Sequence, residues 1–437
     1  MKPASDAVEL FLCAGLDRDQ IRQLAFETGF CEREPRKIQP ADFLAQLCVQ
    51  SAAGVVSYND LAAGMEAYAG VTASRQAYWE KTDESCARFF QSVLERVMLS
   101  KSNPGAVAAI NRRLRFKRIL LQDSTIIKLP LRLFAVYSGV KNGHTAVCNA
   151  PIQGIYDLLS GQFVRFSIDP YSKNDQAAAL EIAVQPGDLI LRDRGYFRMS
   201  VIECHKRAGA DSICRYKHPT VLYDPATGEK INLLELLTRR GSVDMLVGTG
   251  PEQTVPIRLI AFPVSEETAN VRRMRAKKEM NYPPSPELLK LMAWTIFFTT
   301  ITDPSITFKE ILSLYGLRWR IENVFKTWKS HFNFEKIHNV PEIQLHVLLN
   351  ARLIMITIAY ERLFLPLSEQ LEAPISLMKF MRYITQNFPY ISRLMSSKVA
   401  SPKLCRAVQR YCTYDKRNRP NFVSAMEAIL RKTAGSP

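Results

Sequence analysis

The feature that most constrains the fold of this sequence is the order of strand and helix signals between residues 119 and 216. The run Ile119–Pro130 is apolar on both faces, which is typical of a strand buried inside a sheet. The order β-β-β-α-β-α-β predicts three antiparallel strands, followed by parallel strands with helical crossovers. The elements after the first are predicted at TAVCNAPIQGIYDLL, QFVRFSID, NDQAAALEIAVQ, LILRDRGYF, Met199–Ala208 and SICRYK.

Helical signals flank this core, and a segment with strand signals interrupts it. Residues 1–105 have apolar residues at helical spacing, and so does the chain after Lys329. Residues 217–293 include a hairpin from SVDMLVG to TVPIRLIAFPV. The sequence therefore predicts an α/β protein with a ribonuclease-H-like mixed-sheet core, a β-rich insertion, and helical N- and C-terminal regions.

The charge of the chain indicates a polyanionic partner. Lys and Arg number 58 against 42 Asp and Glu, which gives a net charge of +16. Such a field attracts nucleic acid, the commonest polyanion. No run of about 18 uncharged apolar residues is present and the N-terminus does not resemble a secretory signal, so a membrane or secreted protein is not expected. The nine cysteines have no framework spacing and are predicted to be reduced intracellular thiols.

A helix-break-helix pattern lies in the N-terminal region, at Ser57–Lys81. Ser57 with Asp60 resembles a capping box, and the first helix is expected to break near Gly70. The second helix would carry four residues typical of a helix-turn-helix, namely Ser74, Arg75, Gln76 and Tyr78. A plain helical hairpin is an equally good interpretation.

An unusual mixture of aromatic and basic residues surrounds one acid in the stretch YGLRWRIENVFKTWKS, Tyr315–Ser330. On a single helix at about 100° per residue, the polar members of the stretch fall on one narrow face. They are Tyr315, Arg318, Glu322, Lys326 and Lys329. This suits a carboxylate that binds a metal while its neighbours bind phosphates. The alternative is a surface helix with i,i+4 ion pairs such as Glu322–Lys326.

Two aspartates strengthen the first interpretation. Asp123 lies in the apolar first strand, where an unpaired carboxylate is costly. Asp193 follows LILR at the carboxyl end of a predicted parallel strand, where open α/β sheets bind ligands. Asp188 precedes that strand and lies at the wrong end. Either Asp could instead cap a neighbouring loop. Together with Glu322, the two aspartates form an oxygen donor set that can hold two Mg²⁺ or Mn²⁺ ions for phosphodiester chemistry.

These motifs resemble those of DDE transposases of the insertion-sequence-four family, the group that includes the transposons Tn-five and Tn-ten. Tyr315, Arg318, Glu322 and Lys329 match its YREK signature, and DRGYF at Asp193 and LLQDST at Asp123 resemble its aspartate motifs. The β-rich insertion is also a family trait. The resemblance spans roughly Arg112 to Leu365.

The resemblance implies a role for each matching residue. Asp123, Asp193 and Glu322 would be the catalytic acids and the ligands of two Mg²⁺ or Mn²⁺ ions. The YREK residues Tyr315, Arg318 and Lys329 would hold the DNA backbone. Trp294 resembles the tryptophan on which such enzymes stack a flipped base, although a core residue in a strand is an equal alternative. Further candidate DNA contacts are Lys326, Arg194, Trp319 and Arg75.

The function implied is cut-and-paste transposition in the bacterial cytoplasm, on the nucleoid. The enzyme would bind the terminal inverted repeats of its element, nick the DNA, pass through a hairpin and join the ends to target DNA, with a homodimer in the synaptic complex. The regions would be residues 1–105 for DNA binding, 106–216 and 294–370 for the catalytic core, 217–293 for the insertion, and 371–437 for DNA contact or dimerisation. The alternatives are a nuclease of the same fold that does not join strands, and a domesticated DNA-binding protein.

Overall fold

The computed structural model separates the chain into two compact units. Unit 1 comprises Met1–Ile110, Ser124–Lys173 and Arg320–Glu427, and unit 2 comprises Asn111–Asp123, Asn174–Trp319 and Ala428–Pro437. These boundaries differ from those of the five predicted regions. The structure describes residues 8–12, 15–99, 116–139, 146–170, 175–178, 182–249, 257–280, 282–331, 333–371, 375–387 and 402–413.

The protein is mixed α/β. Its strands, in chain order, are β1 (Arg118–Lys128), β2 (Asn149–Asp157), β3 (Gln162–Ile168), β4 (Asp188–Arg192), β5 (Asp211–Arg215), β6 (Leu222–Tyr223), β7 (Lys230–Ile231), β8 (Val243–Thr249), β9 (Ile257–Pro263) and β10 (Trp294–Thr299). Its helices before β10 are α1 (Glu9–Leu12), α2 (Arg18–Glu27), α3 (Pro40–Ala53), α4 (Tyr58–Ala69), α5 (Arg75–Glu80), α6 (Glu84–Leu99), α7 (Asp175–Ala178), α8 (Met199–Arg207), α9 (Leu233–Arg240), α10 (Glu266–Glu279) and α11 (Pro286–Leu291). After β10 come α12 (Phe308–Gly316), α13 (Trp319–His331), α14 (Glu342–Thr357), a π-helix (Ile358–Phe364), α15 (Leu365–Gln370), α16 (Leu377–Gln386) and α17 (Pro402–Tyr411).

Unit 2 is built on a large mixed sheet. The first half of β1 starts the order β1-β4-β5-β10-β9-β8-β6-β7. β4 runs parallel to β1 and to β5, and the later pairs are antiparallel. Residues 119–122 of β1 and all of β4 are buried, as the apolar runs on both faces predict. At the N-terminal edge, Arg118 closes the β1–β4 pair by binding both carboxylate oxygens of the buried Asp188, at 2.9 and 2.6 Å.

Unit 1 contains β2 and β3, which form the predicted antiparallel meander next to β1. Their turn includes Gly161 at φ 68°, a left-handed conformation that suits glycine. The strands carry a cluster of aromatic side chains, including Tyr156 and Phe163, whose ring centres are 4.9 Å apart. The predicted helical character of both terminal regions is confirmed for the residues that the structure describes.

The N-terminal helices of unit 1 pack on α14, the central helix of its core. α14 contacts α3 and α6, and almost all of its side chains are buried. The fully buried Arg352 of α14 donates to the carbonyls of Ser51 and Gly54 at the end of α3, and to those of Phe334 and Lys336. A guanidinium at these carbonyls satisfies acceptors that a helix end leaves unpaired. The described helices α3 and α6 therefore share a core with α14.

The apolar character of α14 continues into the following turns. Among the described residues, one helical run, Glu342–Ser368, is long and apolar enough to cross a membrane. Because 89% of its most apolar stretch is buried inside the protein, it has the character of a core helix.

The predicted helix-break-helix pattern is confirmed. Ser57 caps α4, which ends at Gly70 in the left-handed conformation, and Ser74 caps α5. Tyr78 points into the core of unit 1, where it stacks on Phe43, whereas Arg75 lies in solvent.

Two predicted elements differ from the structure. The helix expected over 174–185 is α7, which covers Asp175–Ala178, and residues 182–185 are not helical. Pro186 disfavours helical geometry in the residue before it, and the Gln185 N–H donates to Asp188 instead. The 217–293 segment is mixed rather than β-rich, because α9, α10 and α11 lie among its short strands.

Some predictions fall outside the described residues. They are most of the basic cluster Asn111–Arg118, the turn TGPEQ between β8 and β9 apart from Thr249, and the C-terminal residues after Thr413.

A buried carboxyl group lies in the π-helix of unit 1. Glu361 is fully buried, and its Oε1 accepts a hydrogen bond from the N–H of Phe163, at 2.9 Å. Burial raises the pKa of Glu361 from its ordinary 4.5 to about 8, against the opposing effects of the Phe163 N–H and of Arg362. The folded state therefore holds a proton that the unfolded chain releases at lower pH.

We expect this proton to make stability fall as the pH rises from the unfolded pKa of Glu361 to about 8, since the folded state binds the extra proton only within that window. Glu361→Gln keeps an oxygen for Phe163 and cannot ionise. At about pH 9 it should be more stable than the wild type by on the order of a few kcal/mol, and at about pH 5 the two should match. Urea denaturation measures both values, with the exposed Glu32→Gln as control. An unchanged pH dependence in Glu361→Gln would assign the effect to another group.

Candidate active site

Two aspartates lie side by side at the carboxyl ends of β1 and β4. The parallel register pairs Arg118 with Asp188 at one edge and Gln122 with Arg192 at the other. Asp123 and Asp193 are the next residues of their strands, and Asp193 is still extended, with φ −77° and ψ 167°. Neighbouring strands are about 4.8 Å apart, so the two carboxylates are adjacent on one face of the sheet. The predicted position of Asp193 at a parallel strand end is confirmed.

A tight turn leads the chain away from Asp193. Residues 194–196 form a 3₁₀ turn, in which Arg194 is exposed. A Cβ on Gly195 would lie 2.7 Å from the Asp175 carboxylate, so a side chain at this position would require that carboxylate to move. Glycine therefore allows the close approach of Asp175.

Tyr315 and Arg318 lie beside the aspartates. The Arg318 Nη1 is 3.9 Å from the Asp123 Oδ2, and its guanidinium carbon is 5.7 Å from the centre of the Tyr315 ring. Tyr315 also packs edge-on against Phe297 of β10, with ring centres 4.8 Å apart. Within the described part of the chain, its buried hydroxyl has no hydrogen-bond partner. Burial raises the pKa of Tyr315 to about 12, Arg318 opposes the rise, Asp193 adds to it, and Arg215 opposes it.

The sequence predicted that the YREK residues share one helix, but in the structure they do not. α12 ends at Gly316, Leu317 and Arg318 form a turn, and α13 begins at Trp319. Glycine weakens the helix, and the fully buried Leu317 directs the turn into the core. A common helical face therefore holds only within α13, for Glu322, Lys326 and Lys329. The break falls at the boundary between the two units.

Aromatic packing within unit 1 fixes α13. Trp328 is fully buried, with ring centres 4.9 Å from Phe163, 4.8 Å from Phe325 and 5.8 Å from Phe334. Phe325 lies so close to β2 that a Cβ on Gly154 would be 2.8 Å from its ring. Phe325 and Trp328 of α13 therefore anchor the helix to the meander of β2 and β3.

The polar face of α13 has both bound and exposed members. The Lys329 Nζ donates to the carbonyl of Ile126 in β1 and pairs with Glu335, each at 2.7 Å. Lys326 is exposed, and Glu322 is partly exposed in the first turn. These contacts fasten Lys329 to the end of β1, which the sequence did not indicate.

The two candidate tryptophans differ in what can be described. The indole N–H of Trp294 donates to the carbonyl of Gly241 at 2.7 Å, and the ring packs on the apolar cluster beneath β9 and β10. This arrangement gives Trp294 a structural role, and its base-stacking role stays a prediction. The side chain of Trp319 lies outside the described part of the structure.

One basic residue beside the site was not singled out from the sequence. Arg215 ends β5, pairs with Phe297 across the β5–β10 ladder and is partly exposed. The sequence offered one indication, which was the position of Arg215 within the predicted strand SICRYK. Only the parallel register of β4 and β5 shows that Arg215 aligns with Asp193.

The donor set of Asp123 and Asp193 suits a hard divalent cation. Carboxylate oxygens are the ligands that Mg²⁺ and Mn²⁺ prefer, whereas zinc sites favour nitrogen and sulfur. Among the described residues, no group of three or more His, Cys, Asp or Glu side chains lies close enough together to hold a metal ion. The two aspartates alone therefore supply only part of the ligand set that such an ion takes.

Comparison with known proteins identifies the class. A family profile described as "Transposase DDE domain" matches residues 114–358, more than half of the chain. The protein belongs to this family of DNA transposases.

Two relatives illustrate the similarity. The chain is 27% identical over 390 residues to the transposase for insertion sequence element IS231B of Bacillus thuringiensis subsp. berliner, which covers 82% of this chain and 80% of the relative. It is 24% identical over 428 residues to the transposase for IS1151 of Clostridium perfringens, which covers 89% and 90%. A solved piggyBac transposase synaptic complex with hairpin DNA matches with a TM-score of 0.45 and 11% identity, over 99% of this chain and 90% of that one.

The hydroxyl of Tyr315 gives a test of the site that is independent of activity. Tyr315→Phe removes a buried donor that lacks a partner in the described structure, so the free energy of unfolding should stay constant or rise by up to about 1 kcal/mol. Tyr156→Phe breaks the 2.9 Å hydrogen bond between the Tyr156 and Tyr360 hydroxyls, and should cost about 1 kcal/mol or more. Urea denaturation of both variants checks the contrast. Equal losses would mean that the Tyr315 hydroxyl has a structural partner.

Proposed function

We propose that this DNA transposase cuts and joins DNA at the terminal inverted repeats of its own element, with Asp123, Asp193 and Glu322 as the catalytic carboxylates. The observation that carries the proposal is the adjacent position of Asp123 and Asp193 at two parallel strand ends. Glu322 follows Arg318 by four residues and matches the glutamate of the YREK signature.

We further infer a ribonuclease-H-like catalytic core of the insertion-sequence-four type. The strand orders β3-β2-β1 in unit 1 and β1-β4-β5 in unit 2 support it, because the predicted meander and parallel crossovers follow this order. Residues 217–293 would be the family's insertion, and β8 and β9 extend the sheet of unit 2 beyond β10. The remaining regions would be residues 1–105 for DNA binding, 106–216 and 294–370 for the core, and 371–437 for DNA contact or dimerisation.

The chemistry follows from what these residues can hold. When bound by the three carboxylates, two Mg²⁺ or Mn²⁺ ions would supply an activated oxygen nucleophile and a Lewis acid for the leaving oxygen. Arg318, already next to Asp123, would hold a phosphate oxygen and offset the charge that develops there. Tyr315 would donate its buried hydroxyl to the same strand, and Lys329 would hold the backbone beyond it. Nicking, a hairpin step and strand transfer would use the same residues in turn.

The recognition of the inverted repeat is assigned to α5. Its side chains Arg75, Gln76 and Trp79 are exposed, whereas Tyr78 is buried. Arg75 and Trp79 are four residues apart and so share a face. This combination suits contacts with base edges and stacking.

Two copies are expected in the complex that pairs the transposon ends, since each end needs one active site. The molar mass of the protein bound to end DNA measures this number. As expected of a transposase from a bacterial insertion sequence, the protein would act on the nucleoid in the cytoplasm.

Substitution of each proposed acid tests the catalytic assignment. Asp123→Ala, Asp193→Ala and Glu322→Ala should each abolish cleavage and leave binding to end DNA largely intact, because the acids hold metal rather than DNA. Purified protein is incubated with the inverted repeats that flank its reading frame and Mg²⁺, and denaturing gels score nicked, hairpin and joined species.

The exposed Glu287→Ala is the matched control and should keep wild-type activity. Asp188→Ala is unsuitable, because it leaves Arg118 without its buried partner and destabilises the sheet. Normal cleavage by any one of the three variants removes that residue from the site, and cleavage without joined products in the wild type favours a nuclease.

A second substitution tests the recognition helix in the full-length chain. Because α3 and α6 pack on α14, an isolated fragment of residues 1–105 would expose that interface. Arg75→Ala should weaken binding to the inverted repeat about 10-fold or more, as expected for a base contact, and change binding to unrelated duplex little. The exposed Arg33→Ala is the control. Equal weakening on both duplexes would move sequence recognition elsewhere in the chain.

A further inference from the structure

We propose that Arg215, at the end of β5, is a DNA-contact residue of the active site that binds a phosphate of the strand lying across Asp193. The inference rests on the proposed cleavage function and adds a residue outside the YREK signature to it.

The register of the sheet brings Arg215 to the edge that carries the aspartates. Leu191 of β4 pairs with Ile213 of β5 in a parallel ladder. Asp193 and Arg215 each lie two residues further on, so they occupy equivalent positions on neighbouring strands. Because side chains alternate between faces with a period of two, Asp193 and Arg215 emerge on the same face.

Arg215 also lies in the electrostatic environment of the YREK residues. It pairs with Phe297, whose ring packs on Tyr315. The charge of Arg215 acts on the pKa of Tyr315 and, after burial, lowers the pKa of Arg272. Arg215, Arg318 and Asp193 therefore all act on Tyr315, and Arg318 lies 3.9 Å from Asp123.

The guanidinium of Arg215 has no structural task to explain its position. Within the described part of the chain it makes no hydrogen bond or ion pair, although the side chain is partly buried. Its neighbour Arg272, in contrast, donates to the carbonyl of Trp294 at 3.1 Å and to the Thr295 hydroxyl at 3.0 Å. Holding a half-buried cation near other arginines is unfavourable unless an anion joins them.

The chemistry of the cluster selects the ligand. A guanidinium presents a planar fork of donors that fits two phosphate oxygens, and a buried phenol can donate a further hydrogen bond. The aspartates on the same edge exclude a carboxylate ligand unless a metal neutralises them, whereas a phosphodiester is the substrate that metal-bound carboxylates act on. A DNA phosphate is therefore the anion that fits Arg215.

Binding in salt gives a readout that a structural role would not move. Arg215→Ala should keep a urea midpoint close to that of the wild type, since no hydrogen bond or ion pair of the guanidinium within the described structure is lost. The slope of log affinity against log salt, measured by fluorescence anisotropy with the end duplex, should fall by about 0.9, the value for one phosphate contact. Arg215→Lys keeps the charge and should restore most of the slope. The exposed Arg207→Ala, at the C-terminal end of α8, should match the wild type.

The contact itself is located with end duplexes that each carry one neutral methylphosphonate. At one position near the cleaved bond the neutral linkage should slow the wild type, and there it should slow Arg215→Ala no further, because the partner is already gone. Cleavage by Arg215→Ala on unmodified DNA should fall roughly 10²-fold. Arg215→Lys should stay impaired in cleavage, since it lacks the fork.

The outcomes distinguish a failure of the Arg215 assignment from a failure of the proposed function. If the wild type cuts and joins end DNA but Arg215→Ala does so equally well with an unchanged salt slope, the assignment of Arg215 fails and the proposed function stands. The assignment also fails if every methylphosphonate slows Arg215→Ala as much as it slows the wild type. If the wild type cuts no end DNA, the proposed function fails, and the assignment of Arg215 with it.

Discussion

The parallel pairing of β1 with β4 is the constraint on which the site depends. At one edge the pair is closed by the ion pair of Arg118 with the buried Asp188, and the four aligned pairs that follow are buried. At the other edge the pairing ends at Gln122 and Arg192, so Asp123 and Asp193 emerge together. A slip of one residue would turn one carboxylate to the opposite face. Two acids only five residues apart, Asp188 and Asp193, thus lie at opposite ends of β4: Asp188 pairs with Arg118, and Asp193 lies at the edge proposed to face the substrate.

Helix α13, which carries the proposed catalytic Glu322, depends on a different kind of packing. Its buried face is aromatic and centred on Trp328, and Gly154 lets Phe325 approach β2 closely. Close-packed aromatic rings resist rotation of a helix about its axis, because each ring fills space that no other rotamer can fill. In the same unit, Arg352 ties the end of α3 to α14, so the proposed DNA-recognition helices share a core with α13.

The chain has a net charge of +16, and its basic residues differ in what they contact. Arg352 is consumed by backbone carbonyls, and Lys329 is bound to Ile126 and Glu335. Arg318, which lies 3.9 Å from Asp123, and Arg215 are at the edge that carries the aspartates. Cations in such a position are repelled by one another and attracted by a phosphate strand, so their arrangement favours the bound state.

The sequence by itself determined most of the strands and helices and singled out the acids that are proposed to be catalytic. Apolar runs on both faces predicted β1 and β4, the alternation of strands and helices predicted their order, and the spacing from Tyr315 to Lys329 pointed to the transposase family. Tertiary structure alone decided which distant residues meet. Periodicity describes one element at a time, so it could not show that Arg215 aligns with Asp193. It also could not show that α12 ends before the buried Leu317. The burial of a side chain depends on residues that are distant in the sequence, and periodicity does not show which of them pack together.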